Sequence, residues 1–292
     1  MRSLFWTNTI WYILLAITSV AALIVALKRS SDRRFTAAFW LGVLGFTYIL
    51  EVILVIVFNA YNYRPGLVLD SFQDSVLGNI FSQISVSASA LLIAVFGLSW
   101  IWRAGFSVTY FLVDALFSAL GIYEHIWYRS IYSLFGFFVY SWFIQFWYGK
   151  LQAAGHGHRR LSVLAWFLGV FAVTGNTIIL PQKLLKLQIF QIGLFADMSK
   201  DHTTGMLIYG PILIILILAY QFWSAPRVFK WIPFVFITAM QFLLYSGGFI
   251  SIKPGWILFV TAADLLGIYA WSVWIGRSLN LLRPKEHSFS LL

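Results

Sequence analysis

The chain has 292 residues, of which 61% are hydrophobic and only 10% charged, against about a quarter charged in an ordinary soluble domain. Mean hydropathy is +0.84, and 20 Lys and Arg against 10 Asp and Glu leave a net charge of +10 with no cysteine. These values exclude a soluble enzyme, a disordered chain, a disulfide scaffold and thiol chemistry. What remains is an all-α polytopic membrane protein. Its positive excess belongs to loops that set orientation and meet anionic head groups, with no nucleic-acid partner.

The first apolar run has Arg2 alone ahead of it and Lys28, Arg29, Arg33 and Arg34 behind. A secretory signal carries its charge in front, so this run reads as a retained helix with its N-terminus outside. A helix needs roughly 17–25 apolar residues to cross a bilayer. Runs of that kind predict a transmembrane bundle of nine spans at about 5–27, 35–58, 79–102, 105–123, 131–149, 161–180, 206–223, 231–250 and 255–276. They form one integral membrane domain over 1–292. With the N-terminus outside, 13 of the 20 Lys and Arg fall on the inner side and 7 on the outer, which supports a cytoplasmic C-terminus. Two outer segments are long: Asn59 to Leu77, and Pro181 to Gly205, whose apolar content predicts a helix lying at the interface.

Ionisable groups at membrane depth are costly and usually face a site or a partner. Glu51, Asp114 and Asp264 fall inside predicted spans, with Gln83, Asn176 and Gln241 at comparable depths. Together they predict an outward-opening polar cavity; local interhelical hydrogen bonds are the alternative. Asp114, Ser118, Gly121 and His125 share one face of a continuous helix, with Asp114 and His125 about 16 Å apart, too far for a dyad. The outer rim carries Glu124, His125, Arg129, Arg64, Asp70 and Asp74. No metal-ligand spacing is present, so salt bridges organising the loop are the expected role, and neither metal nor cofactor is predicted. Asp70-x-x-x-Asp74 has the spacing of a diphosphate-binding pair but nothing else of that pattern.

Among smaller features, the inner loop His156-Gly157-His158-Arg159-Arg160 reads as a lipid-contacting basic segment. Gly42 and Gly45, and the Ser85, Ser87, Ser89 set, read as close-packing positions. Leu120-Gly121-Ile122-Tyr123 recurs as Leu266-Gly267-Ile268-Tyr269 in helices expected to run in opposite directions. Four common membrane residues match easily by chance, and nine spans do not halve evenly, so no duplication is expected.

The stretch from Asp114 to Leu151 contains Gly-Ile-Tyr-Glu-His-Ile-Trp-Tyr-Arg at Gly121 to Arg129, then Trp142 and Trp147-Tyr148-Gly149-Lys150-Leu151. Over about residues 75–151 it resembles an uncharacterised family of multi-pass membrane proteins of spore-forming Gram-positive bacteria. The resemblance implies a bacterial plasma membrane and brings no activity and no functional residues.

Three functions follow as expectations. The first is binding or movement of a small or lipidic ligand through the cavity, with Glu51, Asp114 and Asp264 as the charged groups. The second is an accessory or assembly subunit held by a membrane-protein partner. The third is a lipid-modifying enzyme using Glu124, His125 and Asp74 as acid and base. No Walker-type glycine loop or Gly-x-Ser-x-Gly elbow is present.

Overall fold

The computed structural model describes residues 5–153, 158–222 and 231–282. His156, Gly157, Arg2 and the C-terminal basic residues lie outside them. Nine helices occur among the described residues: α1 (Phe5–Arg29), α2 (Arg33–Val57), α3 (Ser71–Phe96), α4 (Trp100–Ala119), α5 (Ser130–Ala153), α6 (Arg159–Leu184), α7 (Met198–Phe222), α8 (Ile232–Ser246) and α9 (Ile257–Ser278). Six of them, α1, α2, α3, α6, α7 and α9, are long and apolar enough to cross a membrane. Four short strands interrupt the helices: β1 (Tyr61–Tyr63), β2 (Tyr123–His125), β3 (Gln188–Phe190) and β4 (Ile250–Ile252). They form two antiparallel ribbons, β1 with β2 and β3 with β4.

The expected absence of duplication is overturned. Residues 33–150 and the described residues of 160–277 show the same element order at a constant offset of 127 residues, each as helix, strand, helix, helix, strand, helix. Tyr61 pairs with His125 in one ribbon and Gln188 with Ile252 in the other, an identical register. Left-handed backbone recurs at matching turns: Asn59 and Lys186 (φ 48° and 52°), Gly66 and Gly193 (73° and 76°), Gly121 and Gly248 (71° and 77°). The two units run in the same direction. Ser199 Oγ, at the start of α7, donates to Asp70 Oδ2 at the start of α3 over 2.8 Å, so both helices begin at one end of the bundle. The recurring tetrapeptide at Leu120 and Leu266 therefore falls at unrelated positions. Nine helices divide as two units of four, α2–α5 and α6–α9, plus α1.

One motif explains why both units fold alike. Gly-Leu-x-x-Asp-x-x-x-Asp-x-x-x-Gly occurs at Gly66 to Gly78 and again at Gly193 to Gly205. The first Asp caps a helix: Asp70 Oδ1 accepts from Gln73 N at 2.7 Å, and Asp197 Oδ1 from Ser199 N at 2.8 Å. The second Asp gathers the loop. Asp74 accepts from the amides of Gly66, Leu67 and Val68, and Asp201 from those of Ile192, Gly193, Leu194 and Phe195. The last glycine admits the strand, since a Cβ on Gly78 would meet Tyr63 Cβ at 2.5 Å and one on Gly205 would meet Phe190 Cβ at 2.6 Å. This motif also corrects the expected boundaries. Helices α3 and α7 start at Ser71 and Met198, well before the apolar runs at 79 and 206, because their capped first turns are polar. Pro181 to Gly205 is accordingly no interfacial helix but the end of α6, β3, a loop and the start of α7.

The units meet along α2 and α6, the most extensively packed helix pair. Both crossing points are backbone-close: a Cβ on Gly42 would meet Ala165 O at 2.8 Å, and one on Gly45 would meet Leu168 O at 2.0 Å. Gly169, the counterpart of Gly42, lies against Gly42 N in turn. Around this crossing the core closes with Phe39, Val43, Ala165, Trp166 and Leu168. Helix α1 has no counterpart. It packs on α3 and is pinned to the first ribbon by Thr9 Oγ1 to Pro65 O (2.8 Å) and Tyr12 OH to Ile122 O (2.7 Å).

Candidate functional site

The first ribbon positions the site. Side chains alternate along a strand, so Tyr61, Tyr63 and Tyr123 turn inward and are buried, whereas Glu124 turns outward. Exposed Glu124 meets exposed Arg64 at 2.5 Å on the outer face. Beneath the ribbon lies a partly open cavity of about 210 Å³, lined by α1, α2, α3, α4 and α5. Eight of the 14 tyrosines line it: Tyr12, Tyr61, Tyr63, Tyr110, Tyr123, Tyr128, Tyr132 and Tyr140. Glu51, Asp114, Gln83, Thr47, Ser82 and Ser133 add to its polar wall, and among the described residues neither Lys nor Arg contributes.

Glu51 is buried in the last regular turn of α2, just before the helix widens to i→i+5 bonding over Val52–Val57, as α6 also does over Gly175–Ile179. Its Oε2 accepts from Tyr61 OH at 2.7 Å, and its Oε1 accepts from the Gln83 amide. Asp114 accepts from Ser130 Oγ at 2.5 Å and Ser133 Oγ at 2.7 Å, which fixes the start of α5 against α4.

His125 Nε2 lies 3.0 Å from Asp114 Oδ1, outside hydrogen-bond geometry, a contact that is an ion pair only when the imidazole is protonated. The expected separation of about 16 Å assumed a continuous helix. Instead α4 ends at Ala119, Gly121 takes a left-handed turn, and β2 folds back beside the helix. Asp114 and His125 make two potential metal ligands, and among the described residues no third carboxylate or imidazole joins them.

Most of the phenol hydroxyls are already engaged by the protein. Tyr12 bonds Ile122 O, Tyr63 bonds Ser82 at 3.2 Å, Tyr110 bonds Ser85 and Ser89, and Tyr128 bonds Ser133. The rings also pack on one another, Tyr63 on Tyr123 at 4.8 Å and Tyr61 on Tyr128 at 4.9 Å. Burial holds the Tyr61, Tyr63 and Tyr123 phenols well above their ordinary pKa and raises Tyr128 to about 12. They therefore stay neutral and present ring surface to anything in the cavity.

Of the residues singled out from sequence, Glu51, Asp114 and Gln83 share this cavity. Asp264 lies in the second unit, where its Oδ1 accepts from the Gln182 amide at 2.9 Å. Gln241 accepts there from Tyr209 OH. Asn176 lies between the units and donates to Tyr48 OH at 2.9 Å, lining a separate space of about 170 Å³ that also touches Glu51. The six groups thus divide among three places instead of converging on one.

At the rim, Asp74 is spent on backbone amides, Asp70 caps α3, and Arg129 is exposed just before α5. Glu124, His125 and Asp74, grouped as acid and base, face three different partners. Apart from Tyr128, which with Trp127 fits an interfacial aromatic belt, the tyrosines carry no signal in the sequence, because their convergence depends on residues far apart in the chain. His202 has no role legible there either. Its Nδ1 accepts from Phe190 N at 2.9 Å, as Ser75 Oγ accepts from Tyr63 N in the first unit. Comparison with family models, with curated proteins and with solved structures finds no match to this chain.

Proposed function

We propose that this integral membrane protein crosses a bacterial plasma membrane nine times, N-terminus outside, and binds or moves a small ligand in the cavity under the first ribbon. The observation that carries the reading is that cavity: about 210 Å³ of space whose lining includes two carboxylates inside a largely apolar bundle. Intramembrane acids are retained where they serve a ligand, an ion or a partner, and a concave, mostly apolar pocket with a few convergent polar groups is the usual form of a small-molecule site. The Lys and Arg bias supports the orientation, which places the ribbons and the cavity at the outer end. The test is native mass spectrometry of the protein released from nanodiscs. A reproducible added mass that disappears in Glu51→Gln is expected. A bare chain, or one that retains only a second protein, would replace this reading with that of an accessory subunit.

A further inference from the structure

The duplication supplies an internal control for the cavity. The corresponding place in the second unit is lined by Ile178, Gln188 and Phe190, the counterparts of Glu51, Tyr61 and Tyr63. It holds about 20 Å³, room for little more than one water. Asp114 is replaced by Gln241 and Tyr123 by Ile250. The one carboxylate there, Asp264, stands where the first unit has Phe137 and is bonded to Gln182. Both units keep the ribbon, its register and the loop-gathering Asp, so the scaffold requires neither the acids nor the phenols. Those side chains accompany the open space.

We propose that the first-unit cavity takes an organic cation, a small amine with an apolar or aromatic body; this rests on the small-ligand reading above. Glu51 accepts from Tyr61 and Gln83 but meets no cationic side chain among the described residues. A buried carboxylate without a counter-charge is costly, and an ammonium group supplies one. The tyrosine rings add attraction between a cation and the ring quadrupole, which needs no free hydroxyl. An anionic ligand meets two carboxylates and no Lys or Arg. A neutral ligand can offer Glu51 a hydrogen bond but no counter-charge.

The experiment measures equilibrium binding of 2-phenylethylammonium and of its neutral analogue 2-phenylethanol to the whole protein in zwitterionic nanodiscs, with empty nanodiscs subtracted. The expected result is saturable binding of the amine, at least about tenfold tighter than the alcohol. Glu51→Gln should abolish that preference while the alcohol binds as before, and Asp114→Asn should weaken it; thermal melts confirm that both variants are folded. Equal affinity for amine and alcohol in the unaltered protein overturns the cation assignment and leaves a small-ligand site standing. Absence of saturable binding for both overturns the two readings together. A preference that survives in both variants places the cation elsewhere and overturns the assignment.

Discussion

Asp74 and Glu51 are both buried carboxylates, and their surroundings give them different work. Three backbone amides point at Asp74, so its charge is consumed in shaping the loop between β1 and α3. Replacing it by Asn puts an NH₂ group against those donors. Asp74→Asn should lower stability by about 1–3 kcal/mol, the usual cost of unpaired buried groups, read as a drop in melting temperature in detergent. Asp201→Asn should act in the same direction. The phenols under the ribbon give a second expectation at this scale. Burial raises Tyr61, Tyr63 and Tyr123 in the folded protein, whereas in the unfolded chain they ionise near pH 10. Their contribution is therefore fully present below about pH 10 and is lost as pH rises beyond it. Near-UV absorbance should show a group of tyrosines that ionises only together with alkaline unfolding. Smooth titration of every phenol in the folded state would contradict this burial.

At the scale of elements, α2 and α6 are joined by backbone contact. A Cβ at Gly45 would stand 2.0 Å from a carbonyl oxygen, which no side-chain movement can relieve. Gly45→Ala should separate the helices and cost at least the 1–3 kcal/mol or so typical of overpacking. Gly105→Ala, in open space on α4, should be neutral or stabilising by about 0.5–1 kcal/mol. Equal melting temperatures for the two variants would show that the crossing is looser than described. The glycines themselves were legible in the sequence as close-packing positions. Their partners were not, because nothing local says that residues near 42 meet residues near 165.

For the molecule as a whole, the absence of cysteine makes orientation directly measurable. Glu124→Cys, at the ribbon end, should react with an impermeant maleimide on intact cells, and Ser99→Cys, at the opposite end, only after permeabilisation. The reverse pattern would invert the proposed topology. The duplication yields another expectation. A chain severed between Ala153 and Arg159 should reassemble from its two co-expressed pieces, because the α2–α6 contact joins the units; Gly45→Leu should prevent their co-purification.

The sequence by itself determined the membrane class and where most of the apolar helices lie, because apolar length is a local property read residue by residue. It also singled out Glu51, Gln83 and Asp114, since polar groups stand out in apolar runs. The duplication was present in the sequence as Asp70-x-x-x-Asp74 and Asp197-x-x-x-Asp201, but its signal is spread thinly over more than a hundred residues and a short tetrapeptide match obscured it. Only the tertiary structure decided which polar groups share a space. The left-handed turn at Gly121 brings His125 back to Asp114, the ribbon carries three tyrosines over Glu51, and the same turn in the second unit covers a space of about 20 Å³. Those outcomes depend on contacts between distant segments and on side-chain volume, which no local pattern encodes.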